Sequence, residues 1–101
     1  MEKLEELKSA YLSKALTGDT LFLLRLEDAV EFILRGNELG LYLLGVEGFR
    51  VTPAGAYQPV QEASNDIVDY SGKDFVGDTI ALVRRQPATL WYQVAFSCSH
   101  T

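Results

Sequence analysis

The single histidine and the single cysteine of the chain lie close together near the C-terminus, and they are the first candidates for nucleophilic chemistry. Cys98 and His100 are two residues apart, so an extended chain would place both side chains on one face. Nucleophilic catalysis also needs a residue that orients the base, and zinc needs more ligands than this pair supplies. We therefore expect an incidental cysteine in a polar tail, with neither a thiol catalyst nor a metal.

Carboxylates are the second group of side chains that could carry chemistry. Asp66, Asp69, Asp74 and Asp78 offer oxygen ligands, but their spacing departs from the alternating ligands and final bidentate glutamate of an EF-hand. Acid–base catalysis by Glu47 with Asp66 or Asp69 stays open as an alternative, because paired carboxylates do serve that role. No signal in the sequence brings these groups together. The expectation is an acidic, solvated segment that holds no cofactor and no metal.

Three glycines invite comparison with nucleotide-binding loops. Gly40 and Gly45 enclose LYLL, but no Lys-Ser/Thr pair follows Gly45, and the spacing to Gly48 fails the dinucleotide pattern. These glycines therefore predict structural features. We expect Gly40 to end a helix, and the backbone between Gly45 and Gly48 to bend or bulge.

The net charge of −5 is concentrated in the middle of the chain. Residues 38–78 contain seven acids against Arg50 and Lys73, which gives a local net charge of −5. Such a segment repels a phosphate backbone and attracts a basic protein, so direct nucleic-acid binding is disfavoured and a protein partner is favoured. Simple solubility is the alternative use of this charge.

The cellular compartment is predicted from three absences. A lone cysteine forms no internal disulfide, the first residues are acidic rather than signal-like, and no apolar run approaches the ~20 residues of a membrane helix. We expect a cytoplasmic protein without membrane contact. Its oligomeric state is left open.

The N-terminal half predicts alternating helices and strands. Apolar residues at helical spacing predict a helix over residues 2–16, with Gly18 as a left-handed cap. A short apolar run predicts a strand over 20–26, and a second helix then begins at Glu27. Residues 41–46 (LYLLGV) are apolar throughout, which predicts a central strand covered on both faces.

The C-terminal half is less regular. Residues 53–73 are rich in turn-forming types and are interpreted as a long structured connection, a kind of segment that is often functional. Residues 79–85 fit a helix or a strand, and the alternating residues 89–97 predict a strand. The chain is therefore expected to form one α+β domain over residues 1–101: a small mixed sheet of three to four strands packed against two or three helices.

Several aromatic residues lie outside the predicted regular core. Phe49, Tyr57 and Tyr70 flank turns or the acidic connection. Aromatic side chains in such places are favourable contact material because they offer large area at low entropic cost. Each of the three is a candidate partner-binding residue, with burial in the core as the alternative.

A resemblance adds to this interpretation. Residues 26–33 (LEDAVEFI) and 40–50 (GLYLLGVEGFR) resemble small bacterial immunity-type proteins, including those paired with nuclease colicins, in which a helix, an apolar strand and a glycine–acid–glycine turn follow one another. Pro59, Ile67, residues 69–71 (DYS) and residues 90–94 (LWYQV) fit the same layout. The resemblance covers roughly a quarter of the chain.

The resemblance implies a non-enzymatic inhibitor that binds a cognate toxin through an acidic surface. Glu47 would occupy the glycine-flanked acid position, and Asp66, Asp69 and Tyr70 would occupy the acidic segment that follows. The partner would be a basic, nuclease-like protein. Two alternatives stay open: a structural or self-associating domain, and a small-molecule enzyme that uses paired carboxylates.

Overall fold

The structure is a computed structural model, and it describes residues 2–18 and 20–97. Cys98 and His100, the first candidates for chemistry, lie outside the described residues. Along the chain the elements are α1 (Glu2–Tyr11), a 3₁₀ turn (Leu12–Lys14), β1 (Leu16–Thr17), β2 (Phe22–Arg25), α2 (Leu26–Glu38), β3 (Tyr42–Val51), β4 (Tyr57–Asp66), a second 3₁₀ turn (Ile67–Asp69), α3 (Phe75–Arg84) and β5 (Trp91–Ser97).

The strands form one five-stranded sheet in the order β1-β2-β5-β3-β4, and every neighbouring pair is antiparallel. The α+β class is confirmed, but the expectation of a mixed sheet with three to four strands is wrong. The sheet is purely antiparallel because β5 enters between β2 and β3 and runs opposite to both. The helix-or-strand alternative for residues 79–85 is decided in favour of helix α3.

Strands β1 and β4 were not expected, and β4 occupies about half of the predicted connection. It pairs with β3 through a hairpin whose turn follows Thr52. The Thr52 hydroxyl and carbonyl accept hydrogen bonds from Ala56 N–H and Gly55 N–H, and Gly55 adopts a φ of +86°. Proline is tolerated in this edge strand because one side of its ladder pairs with no other strand, and the strand can be polar because most of its side chains are exposed. The connection predicted over residues 53–73 is therefore corrected to a turn, a strand and a 3₁₀ turn.

The helices end where local chemistry stops them. Gly40 follows α2 with a φ of +84°, and Leu41 N–H donates to the Gly36 carbonyl, so the predicted helix end at Gly40 is confirmed. The first helix ends at Tyr11 rather than at residue 16, because the chain turns there to pair β1 with β2. Among the described residues, positive φ at glycine occurs at Gly40 and Gly55, so the left-handed cap expected at Gly18 is wrong.

The helices leave one face of the sheet open. Helices α2 and α3 pack on the sheet, and α1 packs on α2, with the core between them. On the opposite face, here called the open face, Phe49 pairs with Trp91 and Glu47 pairs with Gln93. The expectation that residues 41–46 are covered on both faces is wrong, because Tyr42 and Leu44 are exposed, although Phe49 farther along β3 is buried. None of the helices in the described part of the chain has the length and apolarity to cross a membrane.

Candidate functional site

The main irregularity of the sheet is a wide bulge between β3 and β4. Val46 pairs with Asn65 and Gly48 pairs with Val60, so two steps along β3 correspond to five steps along β4. Residues 61–64 of β4 therefore arch away from β3. Bulges of this kind bend a strand and redirect its side chains, and they are enriched next to functional sites.

Ser64 holds the bulge in place. Its hydroxyl accepts a hydrogen bond from Gly48 N–H at 3.1 Å and donates one to the Val60 carbonyl at 2.9 Å. Gly48 is required here because a Cβ on it would lie 2.5 Å from the Cβ of Ala63. A second register shift lies between Leu43 and Gly45, on the side of β3 that pairs with β5. The irregularity expected at Gly45 and Gly48 is thus confirmed.

The bulge opens a groove of about 360 Å³, which we call the acidic groove. It is lined by Val46, Glu47, Gln61, Ser64, Asn65, Asp66 and Asp69. A neighbouring depression of about 280 Å³ shares four of these residues and extends onto the open face. Three acids singled out in the sequence, Glu47, Asp66 and Asp69, therefore line one groove.

The chemistry of the groove is that of an exposed anionic surface. Glu47, Asp66 and Asp69 are all exposed, and none of the residues lining the groove or its neighbouring depression is basic. One oxygen of Asp66 accepts a hydrogen bond from Val68 N–H at 2.9 Å and caps the second 3₁₀ turn. Over the described residues, no cluster of three or more His, Cys, Asp or Glu side chains is arranged to hold a metal ion.

The other three candidate partner-binding residues lie elsewhere. Phe49 is buried, where it is flanked by its cross-strand partners Trp91 and Pro59. Tyr57 is partly exposed, but it begins β4 whereas Asp66 ends it. The structure therefore separates these two aromatic residues from the acidic groove.

Tyr70 follows Asp69 but is engaged within the fold. Its hydroxyl donates to the Asp78 carboxylate and accepts from Asp74 N–H, and its ring packs on Phe75 at a centroid distance of 5.0 Å. The hydrogen bond to Asp78 is the main reason why the pKa of Tyr70 is raised, with burial second. Gly72 permits this arrangement, because a Cβ there would collide with the Tyr70 ring. These contacts give Tyr70 a role in fixing the start of α3.

Exposed apolar residues that were not predicted as contacts are Leu44, Ile67 and Val68, which adjoin the groove, and Tyr42, which lies two positions before Leu44 on β3. Val68 is 85% exposed and Tyr42 is 71% exposed, while Ile67 and Leu44 are 40% and 39% exposed. Ile67 and Val68 stand between Asp66 and Asp69, and that placement of apolar residues inside an acidic segment is the signal that could have identified them. Leu44 gave no such signal, since its exposure depends on the register shift beside it.

Beneath the groove, Asn65 connects β4 to α3. Its side-chain amide donates to the Thr79 hydroxyl at 2.9 Å, and Thr79 is fully buried. Within the described part of the chain, the Asn65 carbonyl oxygen has no hydrogen-bond partner. This link anchors the strand that carries Asp66 to the helix layer.

No protein-family model matches the sequence, and no curated protein is similar to it.

Proposed function

We propose that the chain is a non-enzymatic protein-binding module whose acidic groove binds a basic segment of another protein. The observation that carries this proposal is the convergence of Glu47, Asp66 and Asp69 on one groove that contains no basic lining residue. Clustered charges of one sign raise the rate and the specificity of association with a partner of opposite charge.

The specific form that we propose is an immunity-type inhibitor of a basic, nuclease-like toxin. Support comes from the resemblance of residues 26–33 and 40–50 to such proteins. It also comes from the position of Glu47, which lies between Gly45 and Gly48 on the rim of the groove. An acidic surface suits this task because a nuclease presents a basic site to the phosphate backbone of its substrate.

The two alternatives have weaker support. Small-molecule sites enclose most of the ligand surface, whereas all three carboxylate residues of the groove are exposed, which favours binding over acid–base catalysis. Self-association through the edge of β4 is opposed by Pro59 and by the bulge, because both features hinder the addition of another strand.

The test is a pairwise binding measurement with a recombinant basic partner, identified by co-purification or from the neighbouring gene. A triple variant, Glu47→Gln with Asp66→Asn and Asp69→Asn, should slow association and flatten its salt dependence. A control triple, Glu5→Gln with Glu6→Gln and Glu38→Gln, removes the same charge from exposed helical positions.

The control separates a local effect from a general one. The proposal holds if the control triple binds like the parent chain while the groove triple binds more weakly. Equal weakening by both triples would mean that net charge alone matters. A partner that binds the groove triple as fast as the parent chain would exclude the acidic groove as its docking site.

A further inference from the structure

We infer that the segment bound by the acidic groove carries apolar side chains beside its basic ones, and that these cover an apolar margin formed by Tyr42, Leu44, Ile67 and Val68. This inference rests on the proposed function and specifies the chemistry of the partner. It concerns side chains outside the set that was predicted from the sequence.

The margin and the groove are continuous. Gly45 pairs with Asp66, so Leu44 precedes one member of this pair and Ile67 follows the other. Leu44 also lines the depression that contains Glu47 and Asp66. Leu44 therefore shares the surface of this depression with the two carboxylates.

The exposure of the margin is built into the backbone. The Asp66 cap on Val68 N–H fixes the second 3₁₀ turn, which leaves Val68 85% exposed and Ile67 40% exposed. Tyr42 is on the open face, opposite Ser97, and is 71% exposed. Single exposed apolar residues are ordinary, but several side by side with a polar rim mark an interaction surface.

Charge decides which occupant fits this surface. A second copy of the chain placed face to face would bring Glu47, Asp66 and Asp69 against the same three acids. Anionic lipid is repelled for the same reason. A protein segment with Lys or Arg next to aliphatic or aromatic residues matches both the groove and the margin, because each of its side-chain types meets its complement.

The experiment is an NMR titration of the isotopically labelled chain with three short synthetic peptides. The first alternates arginine with leucine, the second alternates arginine with serine, and the third alternates glutamate with leucine. We expect the first to shift the amide signals of Leu44, Ile67 and Val68 together with that of Asp66. It should bind about tenfold more tightly than the second, the gain that corresponds to burying one aliphatic side chain. The third should not bind.

Variants locate the effect. Val68→Ser should reduce the affinity for the arginine–leucine peptide about tenfold while leaving the affinity for the arginine–serine peptide unchanged. Leu12→Ser is the matched control, since Leu12 is 58% exposed and lies beyond α1. The Leu12→Ser variant should bind both arginine peptides with the affinity of the parent chain.

The outcomes separate the inference from the proposed function. Equal binding of both basic peptides at Glu47, Asp66 and Asp69 would overturn the inference and leave the acidic groove as the docking site. Basic peptides that shift signals only elsewhere on the chain would overturn both. Binding of the glutamate–leucine peptide at the margin would show that apolar contact alone suffices, which also overturns the inference.

Discussion

The Ser64 hydroxyl accepts a hydrogen bond from the Gly48 backbone N–H at 3.1 Å, within the bulge where β4 is not paired with β3. Through its second hydrogen bond, to the Val60 carbonyl, the same hydroxyl spans the whole bulge. The Ser64 side chain thus supplies the hydrogen bonds that the Gly48 N–H and the Val60 carbonyl do not obtain from the backbone across the bulge. The shape of the acidic groove depends on it.

Ser64→Ala should lower the free energy of unfolding by about 1–2 kcal/mol, because it leaves the Gly48 N–H and the Val60 carbonyl without this partner. The measurement is chemical denaturation at neutral pH. Ser71→Ala is the control at an exposed position after Tyr70, and it should change the free energy of unfolding little. A Ser64→Ala protein as stable as the parent would show that the bulge does not rely on this hydroxyl.

Thr79 is expected to stabilise the connection between β4 and α3. Thr79→Val keeps the volume but removes the acceptor for the Asn65 amide, so the free energy of unfolding should fall by about 1–3 kcal/mol. Thr79→Ser keeps the hydroxyl and removes only a methyl group, so its free energy of unfolding should fall by less. If the valine variant proved the more stable of the two in denaturation, the hydrogen bond would have no stabilising role.

Gly36 permits the close packing of α2 on β5. A Cβ at this position would lie 2.2 Å from the Phe96 ring, so Gly36→Ala should destabilise by about 1–3 kcal/mol despite the better helix propensity of alanine. Combining Gly36→Ala with Phe96→Leu should cost less than the sum of the two single changes. Strict additivity in thermal or chemical unfolding would exclude this contact as the cause.

The sequence predicted those elements whose apolar periodicity and local residue types indicate the same structure. The apolar stripe of α2 and the glycine that ends it, the alternation of β5, and the irregularity at Gly45 and Gly48 were all predictable. The acids of the groove were also identified individually. Their convergence was not, because it depends on the pairing of Val46 with Asn65, a long-range contact that leaves no local signal.

The failure to predict β4 has a physical cause. Strand β4 was missed because an edge strand can be polar, although the sequence TPAGA before it is good turn chemistry and could have indicated the hairpin. The neighbouring acids suggest that Tyr70 is exposed, and its assignment to a partner-binding surface stays a prediction. In the structure its hydroxyl donates to the Asp78 carboxylate and accepts from the backbone N–H of Asp74.

Asp66 combines two roles that a pair of variants can separate. Asp66→Asn keeps an oxygen that can accept from Val68 N–H, so stability should stay within about 0.5 kcal/mol of the parent while association with a basic partner slows. Asp66→Ala also removes the oxygen that accepts from Val68 N–H, so the free energy of unfolding should fall by about 0.5–2 kcal/mol. Denaturation and association rates, measured on both variants, check this. An asparagine variant with parental association kinetics would contradict a charge role for Asp66.

Tyr92 should make the folded state sensitive to alkaline pH. Burial raises its pKa from 10.0 to about 12, and within residues 2–18 and 20–97 its hydroxyl has no hydrogen-bond partner. The folded state favours the neutral phenol of Tyr92 over the phenolate. The stability that this preference provides is fully present below the unfolded pKa of 10.0, and it is lost as the pH rises through the folded pKa of about 12. Tyr11, whose pKa is also raised to about 12 by burial and then by Glu31, should contribute to the same loss.

Tyr92→Phe tests this relationship. Since the hydroxyl is buried and unpaired, its removal should leave stability at neutral pH unchanged or raise it by up to about 1 kcal/mol. Between about pH 10 and pH 12 the variant should lose less stability than the parent chain, with the remaining loss owed in part to Tyr11. Denaturant midpoints across this pH range provide the measurement, and Tyr42→Phe is the control at an exposed tyrosine. A loss of stability in Tyr92→Phe at neutral pH would show that the hydroxyl is paired, which would contradict the predicted role of Tyr92 in alkaline unfolding.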